Sequence, residues 1–393
     1  MTQLLQFDAV IIGAGIVGGT LAGLLAQGGR KIAVVEPRLP KVFDAESDFE
    51  LRVSAISRAS QRALEKVGAW EGILEKRAHA YEAMHVWDEG GTGNIHFNAS
   101  DVGEADLGHI VENNVIQSSL IEVLQTTPDV TIFDSSRVST LGFSEDGRRL
   151  VALDTGEQLS TRLVVGADGA NSIVRDLSGL SVTRDDYGQK GLVAVVKTEQ
   201  YHDDTAWQRF LSGGPLAFLP LDGGYSSIVW TLPSDKADRH LKQSDEEFKR
   251  ALSEAFDYRL GAVVEVGQRA AFPLIGSQAT AYIAEGVALV GDSAHTIHPL
   301  AGQGVNLGIK DAVALAEILS PLSSREWGSH KRLRQYERSR KGDDVLTMKV
   351  MEGFKLLFGH DANVVKLARN TGLNIFNSIS VVKQQIMRNA MGL

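Results

Sequence analysis

Residues 7–36 read FDAVIIGAGIVGGTLAGLLAQGGRKIAVVE, and this stretch decides the fold. Ala9-Val10-Ile11-Ile12 is a short apolar run of the kind that forms a strand buried on both faces. Gly13 to Gly18 is a glycine turn, and Val17 to Gln27 reads as a helix of small residues. Ile32-Ala33-Val34-Val35 is a second strand, closing on Glu36. Gly13 allows the tight turn, Gly15 lets a pyrophosphate approach the backbone, and Gly18 permits close helix–strand contact. The helix N-terminus offers free N–H groups and the positive end of its dipole to the phosphates. A carboxylate at the next strand end, Glu36, suits both ribose hydroxyls of an adenosine. A glycine turn alone is common. Flanked by strand, helix and acid, it reads as a dinucleotide-binding βαβ unit.

Two more strand-to-helix turns follow. Gly166-Ala167-Asp168-Gly169-Ala170-Asn171-Ser172 comes after the strand Arg162-Leu163-Val164-Val165, with Arg175 one turn on. Read alone, it is a helix cap, since Asp is a favoured cap residue. Gly291-Asp292-Ser293-Ala294-His295 follows the strand Val287 to Val290. It leads through Pro299-Leu300-Ala301-Gly302-Gln303-Gly304-Val305-Asn306 into a helix running to about Leu319. An Asp at that strand end can accept from ribityl hydroxyls, and the glycines let backbone N–H groups lie against a flat ring. The helix N-terminus favours negative charge there, by roughly 1–2 kcal/mol. The plain alternative is a glycine-rich surface loop, against which its apolar content argues.

Outside these turns, residues 55–76 read as helical, and 83–97 as two strands joined at Gly90-Gly91. A helix is expected at 114–125, strands around 130–165, an antiparallel sheet at 187–232 and a charged helix near 244–256. The C-terminal part carries helices and no strand signal. The expected architecture is α/β: a Rossmann-like domain of residues 1–80, 98–182 and 273–325, interleaved with an α+β domain of mainly antiparallel sheet. The second domain takes 81–97 and 183–272, and 326–393 form a C-terminal helical region.

The chain's 393 residues suffice for two or three such domains. A net charge of −9 repels a polyanion, so no nucleic-acid partner is expected. Absence of cysteine excludes disulfides, thiolate metal sites and redox dithiols, and fits an intracellular protein. The N-terminal MTQLLQFDAVIIGAG has no basic lead and reads as a first strand rather than a signal peptide. No stretch approaches the roughly 18 apolar residues of a membrane span. The ten histidines show no HxxxH or HExxH spacing, so no metal site is proposed.

The order of GAGIVG at 13–18, GADGANSIVR at 166–175 and GDSAHTIHPLAGQGVNLG at 291–308 resembles the aromatic-ring hydroxylases of the class A flavoprotein monooxygenases. The chain is most similar to the ubiquinone-biosynthesis hydroxylases, and among them to those that act on a 2-polyprenylphenol at ring position 5. LRVSAIS at 51–57, MHVWD at 84–88, LGHIVENNVIQSSL at 107–120, LAFLPL at 216–221, YERSRK at 336–341 and RNAMGL at 388–393 carry the same likeness. The resemblance implies FAD as cofactor, with NADPH as a transient reductant, since no second glycine fingerprint supplies an NADPH domain. It implies an FAD-dependent monooxygenase that uses dioxygen to hydroxylate the ring of a polyprenylated phenol.

Residue by residue, the resemblance assigns Gly13, Gly15, Gly18 and Glu36 to the ADP half of FAD, with Arg38 beside the adenosine and Val138 by the adenine. Arg52 would reach the pyrophosphate or ribityl region, Gln117 the ribityl chain, and Asp292 both. Asp168 belongs to a motif tied to FAD and NADPH contact. Gly302, Gly304, Val305 and Asn306 would give backbone contacts to the isoalloxazine, and Pro299 would shape its reactive edge as the catalytic position. His295 and His298 are read as packing or hydrogen-bonding residues rather than acid–base groups.

A polyprenylated substrate needs an apolar entrance. Val382, Ile386, Ala390 and Leu393 recur at helical spacing with Lys383 and Arg388 among them, and Phe354, Leu357 and Phe358 lie upstream. These helices are expected to cover the core or to dock on a membrane, with the protein cytoplasmic or peripheral at the membrane's inner face. A ubiquinone-biosynthesis complex is the expected assembly partner. Absence of cysteine removes disulfide reductases, and absence of WxWxIP removes halogenases. A monooxygenase of a soluble phenol and a flavin-stabilised assembly subunit stay as alternatives.

Overall fold

The structure, a computed structural model, describes residues 4–90, 93–296, 304–342 and 380–392. Its centre is a six-stranded sheet in the order Ile283–Ala284, Val287–Leu289, Leu163–Gly166, Ala9–Ile12, Ile32–Glu36, Val130–Asp134. Every neighbouring pair is parallel except the first. Parallel strands need cover on both faces, which is why Ala9–Ile12 is apolar at every position and buried throughout. The helices Ile16–Ala26, Asn113–Thr126 and Gly304–Leu319 pack on this sheet. A four-stranded sheet adds Val151, Leu153 and Leu159 to the same core.

An eight-stranded sheet forms the second layer. Its order is His295–Thr296, Val263–Ala279, Val182–Thr198, Tyr225–Pro233, Gly214–Pro220, Thr205–Leu211, Ala83–Asp88, Asn94–Asn98. All pairs are antiparallel except Thr205–Leu211 with Ala83–Asp88, which run parallel. Along each strand alternate residues turn to opposite faces. Leu192, Leu216, Phe218, Ile228 and Trp230 therefore meet Phe248 and Leu252 of a helix laid across one face, and Phe256 just past its end. That helix, Asp245–Ala255, opens with a reciprocal cap between Ser244 and Glu247.

The segment expected to be helical over 55–76 is three elements instead: strand Val53–Ser57, helix Arg58–Val67 and helix Trp70–Lys76. Ser57 caps the second element by accepting from the Ser60 N–H, and Gly68 ends it in the left-handed region at φ 89°. Val53–Ser57 is drawn into a strand by pairing with Gly108–Glu112, which also pairs with Ala78–Tyr81. Residues 330–342 are helical, and a final helix spans Ser380–Met391.

Candidate functional site

The first glycine turn is built as its spacing demands. Gly13 sits at φ 103°, and a Cβ there would lie 2.4 Å from the Ala167 carbonyl oxygen. A Cβ on Gly18 would lie 2.0 Å from the Gly13 carbonyl oxygen, so only glycine lets the helix approach the strand. At Gly15 a Cβ would meet no protein atom within 4 Å. The helix starting at Ile16 has no side-chain cap and no acid in its first turn. Its free N–H groups and positive dipole end face the same space as the bare side of Gly15. Glu36, at the next strand end, accepts from the Ala14 N–H (2.7 Å) through Oε2 and from the Arg38 N–H (3.0 Å) through Oε1. Each oxygen keeps a lone pair for a further donor.

In the second turn, Asp168 Oδ2 accepts from the backbone N–H groups of Ile173 (2.7 Å) and Val174 (3.1 Å). The cap reading is therefore correct for that oxygen. Oδ1, however, is buried with no partner among the described residues. Burial holds this carboxyl above the usual carboxylate range despite the N–H groups it accepts.

In the third turn, Gly291 adopts φ 60° and donates its N–H to Asp311 Oδ2 (2.9 Å). Asp311 is fully buried and also binds His295 Nε2 (2.7 Å) and Arg340 Nε (2.7 Å). Burial opposes its ionisation, but the charges and hydrogen bonds of His295 and Arg340 win and hold its carboxyl below the usual range. His295 is thus a hydrogen-bonding residue, as read; His298 lies outside the described residues. Asp292 points the other way. It reaches cavity solvent yet is hemmed in by protein, and that burial keeps its carboxyl above the ordinary range against the charges of His295 and Arg52.

These turns meet at one cavity of about 1310 Å³. It exceeds the roughly 300–1,000 Å³ of a single small-molecule site, leaving room for a dinucleotide and a second molecule. Gly13, Gly15, Glu36, Arg52, Gln117 and Val138 line it. Asp168, Asp292, Gly304, Val305 and Asn306 do so as well. Gly18 acts behind the wall, and Arg38 is exposed outside the lining. Pro299 and Gly302 lie outside the described residues. The side chain of Asn306 is committed to the fold: Oδ1 accepts from the Ser57 N–H (3.0 Å) and Nδ2 donates to the Ala55 carbonyl (2.7 Å).

An uncapped helix N-terminus, a bare glycine face, a strand-end carboxylate and an orphaned buried carboxylate oxygen are what a dinucleotide's phosphates, ribose and hydroxyls require. The residues present fit FAD.

Beyond the turns the cavity is walled by the other face of the eight-stranded sheet and by Met387 and Met391 of the last helix. That helix is latched by Lys383 to Asp101 (2.9 Å) and by Arg388 to the Val102 carbonyl (3.3 Å). Its two methionines are buried against Ala99, Val102 and Leu107. Met387 and Met391, outside the stripe expected to cover the core or dock on a membrane, are the described side chains of this helix that pack inward. The side chains of Val382, Ile386 and Ala390, and the residues Phe354, Leu357, Phe358 and Leu393, lie outside what is described.

Sequence spacing missed Asp311 and Arg340, and it missed the meeting of His79, His202 and Asp204. These last three form a hydrogen-bonded cluster. His79 uses both ring nitrogens, on Asp222 (2.8 Å) and Asp204 (3.0 Å). His202 contacts the Leu221 carbonyl and the Asp204 N–H. All four ring nitrogens of the two histidines are engaged in these contacts.

Residues 6–345 match the family model described as FAD binding domain. The chain is 36% identical over 388 residues to 3-demethoxyubiquinol 3-hydroxylase of Escherichia coli (strain K12), covering 98% of each chain. It is 34% identical over 387 residues to ubiquinone hydroxylase UbiL of Rhodospirillum rubrum, covering 98% of this chain and 89% of that one. Among solved structures, p-nitrophenol 4-monooxygenase PnpA from Pseudomonas putida DLL-E4 superposes with a TM-score of 0.79 at 19% identity, covering 99% and 98% of the two chains. That likeness is one of fold.

Proposed function

The chain belongs to the FAD-binding-domain family and is an FAD-dependent monooxygenase; on that premise we propose that it hydroxylates the aromatic ring of a polyprenylated phenol in ubiquinone biosynthesis, with NADPH as reductant. The observation that carries this reading is the continuity of the cavity, which runs from the glycine turns to an apolar sheet face and two methionines. Relatives of near-equal length that are named as ubiquinone hydroxylases support the substrate class.

Bound in the cavity, FAD supplies the redox chemistry that lets dioxygen deliver one oxygen atom to the ring. The chain's own residues do the rest. The helix N-terminus at Ile16 and the bare face of Gly15 would hold the pyrophosphate, Glu36 the ribose hydroxyls, and Asp292, Arg52 and Gln117 the ribityl region. Asp168 Oδ1 would gain a donor from the cofactor or reductant. The helix beginning at Gly304 would present its N–H groups to the flavin ring, with Val305 and Asn306 behind. The apolar wall keeps water from the reacting centre.

Mass spectrometry of quinone lipids from cells lacking the gene tests the reading. An under-hydroxylated polyprenyl intermediate should accumulate and clear when the gene is restored, and its structure fixes the ring position. Unchanged quinone lipids, with no other hydroxylase covering the loss, would remove the substrate assignment.

A polyprenyl tail partitions into bilayers, so we place the working protein at a membrane surface. No described helix is long and apolar enough to cross one. Liposome flotation checks this: the full chain should float, and a chain that stays at the bottom of the gradient contradicts it.

A further inference from the structure

The cavity-facing side of the eight-stranded sheet can be read row by row. Val193 pairs with Val229, Val229 with Ala217, Ala217 with Gln208, and Gln208 with Val86. Cross-strand partners share a face, so this row places one polar side chain among four apolar ones. Gln208 lines the cavity and is only 6% exposed. Its side-chain amide makes no hydrogen bond with any described residue. A primary amide set in an apolar wall without a partner costs stability, and a bound molecule that offers a donor or acceptor recovers that cost.

Charge narrows the ligand. Among the described residues the cations lining the cavity are Arg52 and Arg137, and both stand at its cofactor end, beside Asp292 and Val138 respectively. Among the described residues, no lysine, arginine or carboxylate of the sheet lines the cavity. An ionised carboxylate on the ring would be buried there without a counter-charge, which is strongly unfavourable.

Resting on the proposed function above, we infer that Gln208 orients the substrate ring by hydrogen-bonding its phenolic hydroxyl, and that the site accepts neutral phenols and rejects carboxylated ones. The amide suits this task because it can accept from a phenol O–H or donate to its oxygen. Gln208 touches the substrate and selects its pose; the oxidation is left to the cofactor.

The test uses the FAD-loaded full chain with 2-octylphenol and its 4-carboxylate as probes. Binding is followed by the change in flavin absorbance, and coupling by hydroxylated product formed per NADPH consumed. The wild type should bind 2-octylphenol at least about tenfold more tightly than the carboxylate. Gln208→Met keeps shape and removes the hydrogen bond. It should weaken 2-octylphenol binding by about tenfold and lower coupling, with FAD content and melting temperature held. Gln208→Arg should raise affinity for the carboxylated probe.

A Gln208→Met variant that binds and couples like an active wild type overturns the assignment of Gln208 alone. A wild type that prefers the carboxylated probe overturns the charge selection. A wild type that binds and turns over neither probe brings down the parent reading, and this inference with it.

Discussion

At Gly15 a methyl group would meet empty space, and at Gly18 it would strike a carbonyl oxygen at 2.0 Å. The two glycines of one turn therefore predict opposite phenotypes. Gly15→Val should fold and melt like the wild type while losing bound FAD, read as flavin absorbance after gel filtration. Gly18→Ala should lose about 1–3 kcal/mol of stability, read by denaturant titration, because backbone must shift to admit the methyl. Equal loss of stability in both would contradict the distinction. Asp311→Ala removes at once the partner of His295 Nε2, Arg340 Nε and the Gly291 N–H. It should cost about 3–5 kcal/mol, since the charges it balances stay buried; a loss under about 1 kcal/mol would show that the triad is dispensable. The glycines and Glu36 were legible in sequence because their roles are local to one βαβ unit. Asp311 was not, because its partners stand 16 and 29 residues away and only the fold brings them together. Asp168 was half legible: as a cap for one oxygen, but not as an orphan for the other.

The strand Ala78–Tyr81 is tied to the eight-stranded sheet through His79, which bridges Asp222 and Asp204. Burial pulls His79 down, but these two carboxylates together outweigh it and leave its pKa raised above 6.5. His202 packs on its ring, and Tyr201 shares Asp204. A raised folded-state pKa stabilises the protein below the free histidine value and ceases to do so as pH climbs through the folded one. Between about pH 6 and about pH 9, the wild type should thus lose more melting temperature than a His79→Gln variant. Parallel curves would show that the bridge does not link these elements energetically. At this scale the sequence was informative where period and punctuation agree. The strand–turn–helix units and the capped helix at Asp245 stand where expected. It failed at Ala55 to Ser57, read as helix, which belong to the strand Val53–Ser57 paired with Gly108–Glu112. It was silent on the parallel pairing of Thr205–Leu211 with Ala83–Asp88, which joins segments far apart in the chain.

Two cores flank one cavity, and this arrangement is what makes a hydroxylase of the molecule. The six-stranded sheet ends in glycine turns that fit a dinucleotide, and the eight-stranded sheet turns the face opposite its helix to the same space. The family was legible because its three turns carry invariant chemical demands: a phosphate, a sugar and a flat ring. The substrate end was legible only as a sheet. Alternation shows which residues share a face, and nothing local shows that Gln208 faces the cavity without a partner among the described residues. Ring position stays unread for the same reason, since the turns hold the cofactor and not the phenol. The central claim is that one atom of dioxygen enters the ring of a neutral prenylated phenol. The most direct test gives the FAD-loaded protein NADPH, a short-chain prenylphenol and dioxygen labelled with heavy oxygen, and weighs the product. The account predicts a product carrying one labelled oxygen, with NADPH consumption stimulated by the phenol. Unlabelled product, or NADPH oxidised to the same extent without the phenol and yielding only hydrogen peroxide, would contradict it.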